Sequence, residues 1–152
     1  MNDFSNSRTI YLLKRTEIML RSMLEDALKG LPVTVGQYVI LSLLKYMPKA
    51  SSAELSRKSG VTPQTMSETI TIFEDRGYIL RKQSTEHKRI LEISLTPTGR
   101  ALLEDCEAMV DTVEDKLFAN MGKDNVDQLR AMLKAILHAG EARPGDGGQG
   151  TK

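Results

Sequence analysis

The sequence predicts a mainly α-helical protein with a small β wing, and three observations carry this prediction. Apolar residues recur at helical spacing through most of the chain. Residues 78–95 instead contain two short, strand-like apolar runs on either side of a polar, basic stretch. Between residues 51 and 99 the order is short helix, turn, longer helix and hairpin. That order is typical of a winged helix-turn-helix, which places one helix in a DNA groove.

The first two helices are predicted from their apolar stripes and from the residues that end them. Residues 8–28 form one helix, which Gly30 and Pro32 end. Thr34 is a predicted N-cap for a second helix that ends near Pro48. The stripe of the first helix consists of Leu13, Leu20, Leu24 and Leu28, widened by Ile10, Met19 and Met23.

Capping residues delimit the two helices of the predicted helix-turn-helix. Ser51 or Ser52 caps the short third helix, and residues 59–60 form the turn. Thr62 caps the fourth helix, and Pro63 takes its first position, where a missing N–H costs nothing. The predicted buried stripe of this fourth helix is Met66, Ile70 and Phe73. Gly77 is predicted to end the helix.

The opposite side of the fourth helix carries short polar side chains rather than the Lys and Glu expected of a merely solvated helix. These residues are Gln64, Thr65, Ser67, Glu68 and Thr71. Glutamine suits adenine, and hydroxyls suit phosphate or bases, so we predict that this face contacts DNA. The predicted interface also includes Ser51, Ser52 and Thr62. The alternative is that these residues are ordinary surface polarity.

The hairpin is predicted to have its first strand beginning at residues 78–80 and its second at 90–95. Leu91, Ile93 and Leu95 alternate with polar residues in the second strand. Near the tip, Lys88 and Arg89 are predicted to contact DNA. The predicted contact of Arg89 is in the minor groove or at a phosphate. The alternative is a solvated hairpin cation.

The C-terminal half begins with Thr96-Pro97, a second cap-then-proline helix start. One long helix is predicted to run to residues 121–122 and a last helix over 125–139. We therefore predict a helical dimerisation region at 1–30 and 97–139, a winged domain at 31–96 and a flexible tail at 140–152. Because the stripes of the terminal helices exceed what one winged domain can cover, a homodimer is expected.

Composition excludes several functional classes. The 152 residues have a net charge of +1, but residues 45–100 hold ten basic and six acidic side chains, which fits a central DNA-reading unit. No window resembles a membrane span, so no membrane partner is expected and the cytoplasm is the expected location. No catalytic constellation indicates an enzyme or a cofactor.

The cysteine and histidine residues do not suggest a reactive or metal centre. Cys106 alone allows no intramolecular disulfide, and it reads as a small buried residue, with a redox sensor as the alternative. His87 and His138 are isolated, so no metal site is expected.

Taken in order, four motifs resemble the MarR family of transcriptional regulators over residues 8–139. They are Thr34 to Gln37, Ala53-Glu54-Leu55, the run Phe73-Glu74-x-x-Gly77-Tyr78-Ile79, and Lys88-Arg89 leading into Leu95-Thr96-x-x-Gly99. The resemblance implies a homodimer whose recognition helix enters the major groove while the wing arginine enters the minor groove. The implied operator is a double-stranded pseudo-palindrome with half-sites about 10 base pairs apart.

Two positions depart from the family pattern. The family usually has arginine where this chain has Glu68, and aspartate where it has His87. Glu68 therefore pairs with His87 or Lys88 with reversed polarity, or accepts from a cytosine amino group, or weakens DNA binding by repelling phosphates.

The eight methionines and the tyrosines leave two interpretations open. The family often binds small aromatic or amphipathic effectors where the dimer region meets the winged domain, and methionines line adaptable sites. The predicted effector residues are Tyr11, Arg15, Met19, Met23, Tyr38, Tyr46 and Met109. The alternative is simple core packing.

Two functions are therefore expected from the sequence. The leading one is a dimeric, effector-released DNA-binding regulator, most simply a repressor. The alternative is a winged-helix dimer that binds protein partners and has weak DNA affinity.

Overall fold

A computed structural model of the chain describes residues 7–141 and confirms the predicted fold class. The elements are α1 (Thr9–Leu28), α2 (Val35–Tyr46), α3 (Ser52–Ser59), α4 (Pro63–Asp75), β1 (Ile79–Gln83), β2 (Leu91–Leu95), α5 (Pro97–Phe118) and α6 (Lys123–Glu141). The last helix thus continues two residues past its predicted end, into the segment predicted as a flexible tail. Residues 1–6 and the remainder of that tail lie outside the described range.

The predicted caps of α2 and α3 are confirmed, and each is a reciprocal capping box. The Thr34 hydroxyl accepts from the Gln37 amide at 3.1 Å, while the Gln37 side chain accepts from the Thr34 amide at 3.0 Å. Ser51, not Ser52, is the N-cap of α3 and pairs in the same way with Glu54. Both boxes satisfy amide groups that a helix start leaves without intrahelical partners.

Helix α4 begins and ends where the sequence predicts. The Thr62 hydroxyl accepts from the Thr65 amide at 3.2 Å, and Pro63 is the first helical residue. After the helix, Gly77 has φ +73°, the left-handed conformation that glycine adopts at low cost. Met66, Ile70 and Phe73 are almost completely buried, as predicted.

The two strands pair antiparallel, with Ile79 opposite Leu95 and Gln83 opposite Leu91. Ile93 and Leu95 are buried as predicted, but Leu91 is 49% exposed. It lies on the same side of the strand as the two buried residues. However, its place at the tip end of the hairpin, opposite Gln83, puts it beyond the core. The expected inward alternation therefore fails at this one position.

The start of α5 is fastened to the base of the hairpin. The Thr96 amide donates to the Tyr78 carbonyl at 3.0 Å, and the Thr96 hydroxyl donates to the Gly77 carbonyl at 2.5 Å. The same hydroxyl accepts from the Gly99 amide at 3.0 Å. Gly99 packs so closely that an added Cβ would lie 2.0 Å from the Tyr78 carbonyl oxygen. Leu95-Thr96-x-x-Gly99 is therefore a docking motif between wing and helix.

The described chain divides into two compact units between Val113 and Glu114. In the first unit the core gathers buried residues from the helices and both strands, with Phe73, Leu41, Leu55, Met66 and Cys106 fully enclosed. In the second unit, α6 has no buried residue, and Met132, Leu133, Ile136 and Leu137 are exposed. No helix within residues 7–141 is both long and apolar enough to span a bilayer.

Candidate nucleic-acid interface

The outer face of α4 is exposed and carries no positive charge. Its exposed polar residues are those that the sequence singled out: Gln64, Thr65, Ser67, Glu68 and Thr71. The buried stripe of the same helix anchors it from the other side, so this face is presented on a rigid element. Over its 13 residues α4 has no Lys or Arg.

Glu68 is held by its own helix rather than by the wing. The Gln64 side-chain amide donates to the Glu68 carboxylate, with 3.3 Å between Nε2 and Oε1. Within the described residues, Glu68 forms no ion pair with His87 or Lys88. The predicted polarity-reversed pairing is therefore not formed here, since a partner one turn away on the same helix face takes its place.

Several hydroxyls near this face are already engaged within the chain. Thr62 donates to the Thr65 hydroxyl at 3.0 Å, and Thr71 donates to the Ser67 carbonyl at 3.0 Å. Ser51 donates to Glu54 Oε2 at 2.9 Å, as part of the α3 capping box. Because Thr62 and Thr71 donate their O–H groups within the chain, their hydroxyl oxygens can act toward a ligand only as acceptors.

An ion pair that the sequence reading missed ties α4 to the wing. The Arg81 guanidinium on β1 donates to the Glu74 carboxylate near the end of α4. This partner holds the pKa of Glu74 below its ordinary value and raises that of Arg81. The helix–wing junction is therefore stabilised by an acid on the helix and a base on the strand. It uses residues different from the predicted pair.

The wing tip is an ordered turn built around Ser84, which the sequence reading also missed. Ser84 is buried, and its hydroxyl accepts from the amides of Glu86 at 3.3 Å and His87 at 3.2 Å. Its own amide donates to the Ile90 carbonyl at 2.8 Å. Lys88 and Arg89 project from this turn as exposed cations. A serine whose hydroxyl can accept from the amides two and three residues ahead is a recognisable signal for a turn in the sequence.

The predicted effector residues lie on several of the described helices, and their role stays a prediction. Met109 lines a cleft of about 320 Å³ between α1 and α5, together with Ala27, Gly30, Leu31, Asp105 and Ala108. The other six predicted residues are absent from that lining. Arg15 instead lies 6.0 Å from the Tyr11 ring centroid, and Tyr46 is 75% exposed beside Lys45.

Cys106 is fully buried in the core, as the structural interpretation of this residue expected. Burial raises the pKa of its thiol, which disfavours the reactive thiolate. In the part of the chain that the structure describes, no three His, Cys, Asp or Glu side chains cluster as metal ligands.

Comparison with known proteins identifies the family. The MarR family model matches residues 33–91. The HTH-type transcriptional repressor Rv2887 of Mycobacterium tuberculosis (strain ATCC 25618 / H37Rv) is 35% identical over 126 residues, which is 83% of this chain and 91% of that protein. This chain belongs to the MarR family. Members of the MarR family are transcriptional regulators, a class distinct from enzymes.

Solved MarR structures match the fold over nearly their whole length. Rv2887 in complex with DNA has a TM-score of 0.72 at 32% identity, covering 86% of this chain and 98% of that chain. Rv2887 in complex with salicylic acid has a TM-score of 0.71 at 33% identity, covering 90% and 99%. The repressor CouR bound to a 23-mer DNA duplex has a TM-score of 0.78 at 27% identity, covering 90% and 97%.

Proposed function

We propose that this MarR protein is a homodimeric transcriptional repressor that binds a pseudo-palindromic operator and leaves it when a small aromatic effector binds. The observation that carries the proposal is the pairing of α4 with the wing. An exposed polar helix face lies opposite a buried apolar stripe, and the Glu74–Arg81 ion pair links the helix to a hairpin with two exposed cations at its tip. Rigid presentation of this kind suits groove reading and phosphate contact.

The proposed DNA contacts divide by chemistry. The outer residues of α4 would face base edges, whereas Lys88 and Arg89 would contact the backbone or the minor groove. Ser52 and Thr62 lie at helix starts, where amide groups favour a phosphate. Ser51 is also a proposed contact, but its amide and its hydroxyl both donate to Glu54, so a phosphate would have to replace one of these bonds.

Dimerisation and effector release are supported by the family and by exposed apolar surface. MarR proteins act as dimers. In this chain α1 exposes Ile10, Leu12 and Ile18, and α6 exposes a second apolar row, which suits a partner surface. Because Rv2887 has been solved with salicylic acid, we propose a small aromatic acid as effector class. As a DNA-bound regulator, the protein is expected to work in the cytoplasm.

Arg89 provides the test of DNA binding. Each phosphate contact contributes about 0.9 to the slope of log K against log salt concentration. Arg89→Ala removes one such contact from each half-site of the dimer complex, so it should weaken operator binding and reduce the slope by about 1.8, measured by fluorescence anisotropy between low and moderate salt. Arg8→Ala, which removes an exposed arginine at the start of α1, is the matched control. An unchanged slope for Arg89→Ala would refute the phosphate contact.

One observation favours a second function, a protein-interaction module with weak DNA affinity. Helix α4 carries Glu68, Glu74 and Asp75 without a compensating Lys or Arg on the same helix. If no selected duplex shows salt-dependent binding to the wild-type protein, this second function replaces the first.

A further inference from the structure

The hydrogen bond between Gln64 and Glu68 determines which groups the outer face of α4 offers to a ligand. A carboxylate only accepts, so Gln64 must turn its NH₂ group toward Glu68. The Gln64 oxygen and one of its N–H hydrogens then remain available. Glu68 keeps its second carboxylate oxygen as a free acceptor, and both side chains are exposed.

The rest of this face does not change that balance. The Thr71 hydroxyl donates to the Ser67 carbonyl, and the Thr62 hydroxyl donates to the Thr65 hydroxyl. No guanidinium or ammonium group lies on α4. The face therefore presents a negatively charged acceptor at its centre, beside which the hydroxyls of Thr65 and Ser67 and one Gln64 N–H can still donate.

The major groove offers this face a limited set of complementary groups. Guanine presents two acceptors there, N7 and O6, which a carboxylate would repel. In an A·T pair the adenine N6 donor lies between two acceptors, adenine N7 and thymine O4, whereas in a G·C pair the cytosine N4 donor has an acceptor, guanine O6, on one side only. Cytosine is therefore the base that matches Glu68, and adenine is the base that matches the remaining groups of Gln64.

We propose that Glu68 is a specificity-determining residue that accepts from a cytosine N4 amino group in each half-site and positions Gln64 for an adjoining base. The inference rests on the proposed DNA-binding function and adds the base class that the recognition helix selects. It also gives Glu68 a role at the position where the family usually has arginine.

The first experiment is selection of operators from a random duplex library with three full-length proteins. Wild type should enrich one cytosine per half-site in the segment facing α4. Glu68→Gln should replace that cytosine by adenine, because glutamine pairs with adenine N6 and N7. Glu86→Gln, which removes an exposed carboxylate from the wing turn, is the matched control and should keep the cytosine.

The second experiment removes only the proposed donor. In the selected operator, that cytosine is replaced by a pyrimidin-2-one nucleotide, which lacks the N4 amino group. Wild type should lose roughly 5- to 150-fold in affinity, the range for one mismatched position. Glu68→Ala should bind the unmodified and the modified duplex with affinities within about twofold of each other. A duplex with the same pyrimidin-2-one substitution outside the binding site controls for the change in duplex stability.

The outcomes separate this inference from the proposed function. Equal losses for wild type and Glu68→Ala on the altered duplex, or an unchanged cytosine in the Glu68→Gln selection, would overturn the role of Glu68 while leaving DNA binding in place. Absence of any salt-dependent binding by wild type would overturn both.

Discussion

Replacing Gly99 by alanine tests the docking of α5 against the wing. The added Cβ would lie 2.0 Å from the Tyr78 carbonyl oxygen and 2.9 Å from its carbon, both backbone atoms that cannot rotate away. Relief to an ordinary contact requires the first turn of α5 to move by about 1 Å or more. That movement stretches the bonds from Thr96 to Tyr78 and Gly77.

The expected loss can be estimated from these contacts. Forcing one extra methyl group into a packed site costs about 1–3 kcal/mol. Weakening two hydrogen bonds adds roughly 1–2 kcal/mol, whereas exchanging glycine for alanine within a helix returns about 1 kcal/mol. The net loss is about 1–4 kcal/mol, and a chain of this length loses roughly 2–4 °C in Tm per kcal/mol.

The measurement is urea unfolding followed by circular dichroism at one fixed protein concentration, because dimerisation makes stability depend on concentration. Gly30→Ala is the matched control, since a Cβ at Gly30 would meet nothing within 4 Å. If Gly99→Ala proves as stable as Gly30→Ala, the close approach to Tyr78 does not constrain this position, and the explanation of the motif is wrong.

Two further predictions concern the helix starts and the helix–wing ion pair. Ser51→Ala should lower the free energy of unfolding by about 1 kcal/mol, the usual value of an N-cap, whereas Ser52→Ala should not; equal losses would contradict the assignment of the cap. Glu74 has a lowered pKa, so its contribution to stability is present above its unfolded value of about 4.3 and is lost as pH falls through its lower folded value. Arg81→Ala should therefore reduce the loss of stability below about pH 4, measured by thermal unfolding across pH, and Lys82→Ala should not; coincident profiles for wild type and Arg81→Ala would refute the ion pair.

Local signals predicted most of the fold. Thr34, Ser51 and Thr62 each mark a helix start because a hydroxyl at that position satisfies an amide two or three residues ahead. Such contacts depend only on near neighbours in the chain. The buried stripe of α4 follows from its spacing for the same reason.

Contacts between elements were less accessible from the sequence. The Glu74–Arg81 pair depends on how far the chain advances through the turn at Gly77, and many other acid–base pairings were equally compatible with the sequence. The Gln64–Glu68 bond was predictable, since residues four apart on a helix are neighbours, but the predicted partners of Glu68 were on the wing. The effector residues stay a prediction, because a ligand site depends on how separate helices pack together, which no local pattern specifies.

The acidic face of α4 also has a consequence for how the proposed complex divides its binding energy. A carboxylate in the major groove is repelled by the phosphates on either side of the groove, so α4 adds little to the non-specific attraction between the protein and DNA. Attraction must then come from cations elsewhere, of which Lys88 and Arg89 on the ordered wing turn are the proposed pair. A wrong base leaves Glu68 desolvated against an acceptor, which costs more than the loss of a neutral contact. The wing would therefore set affinity and its salt dependence, while Glu68 would set the ratio between operator and random DNA.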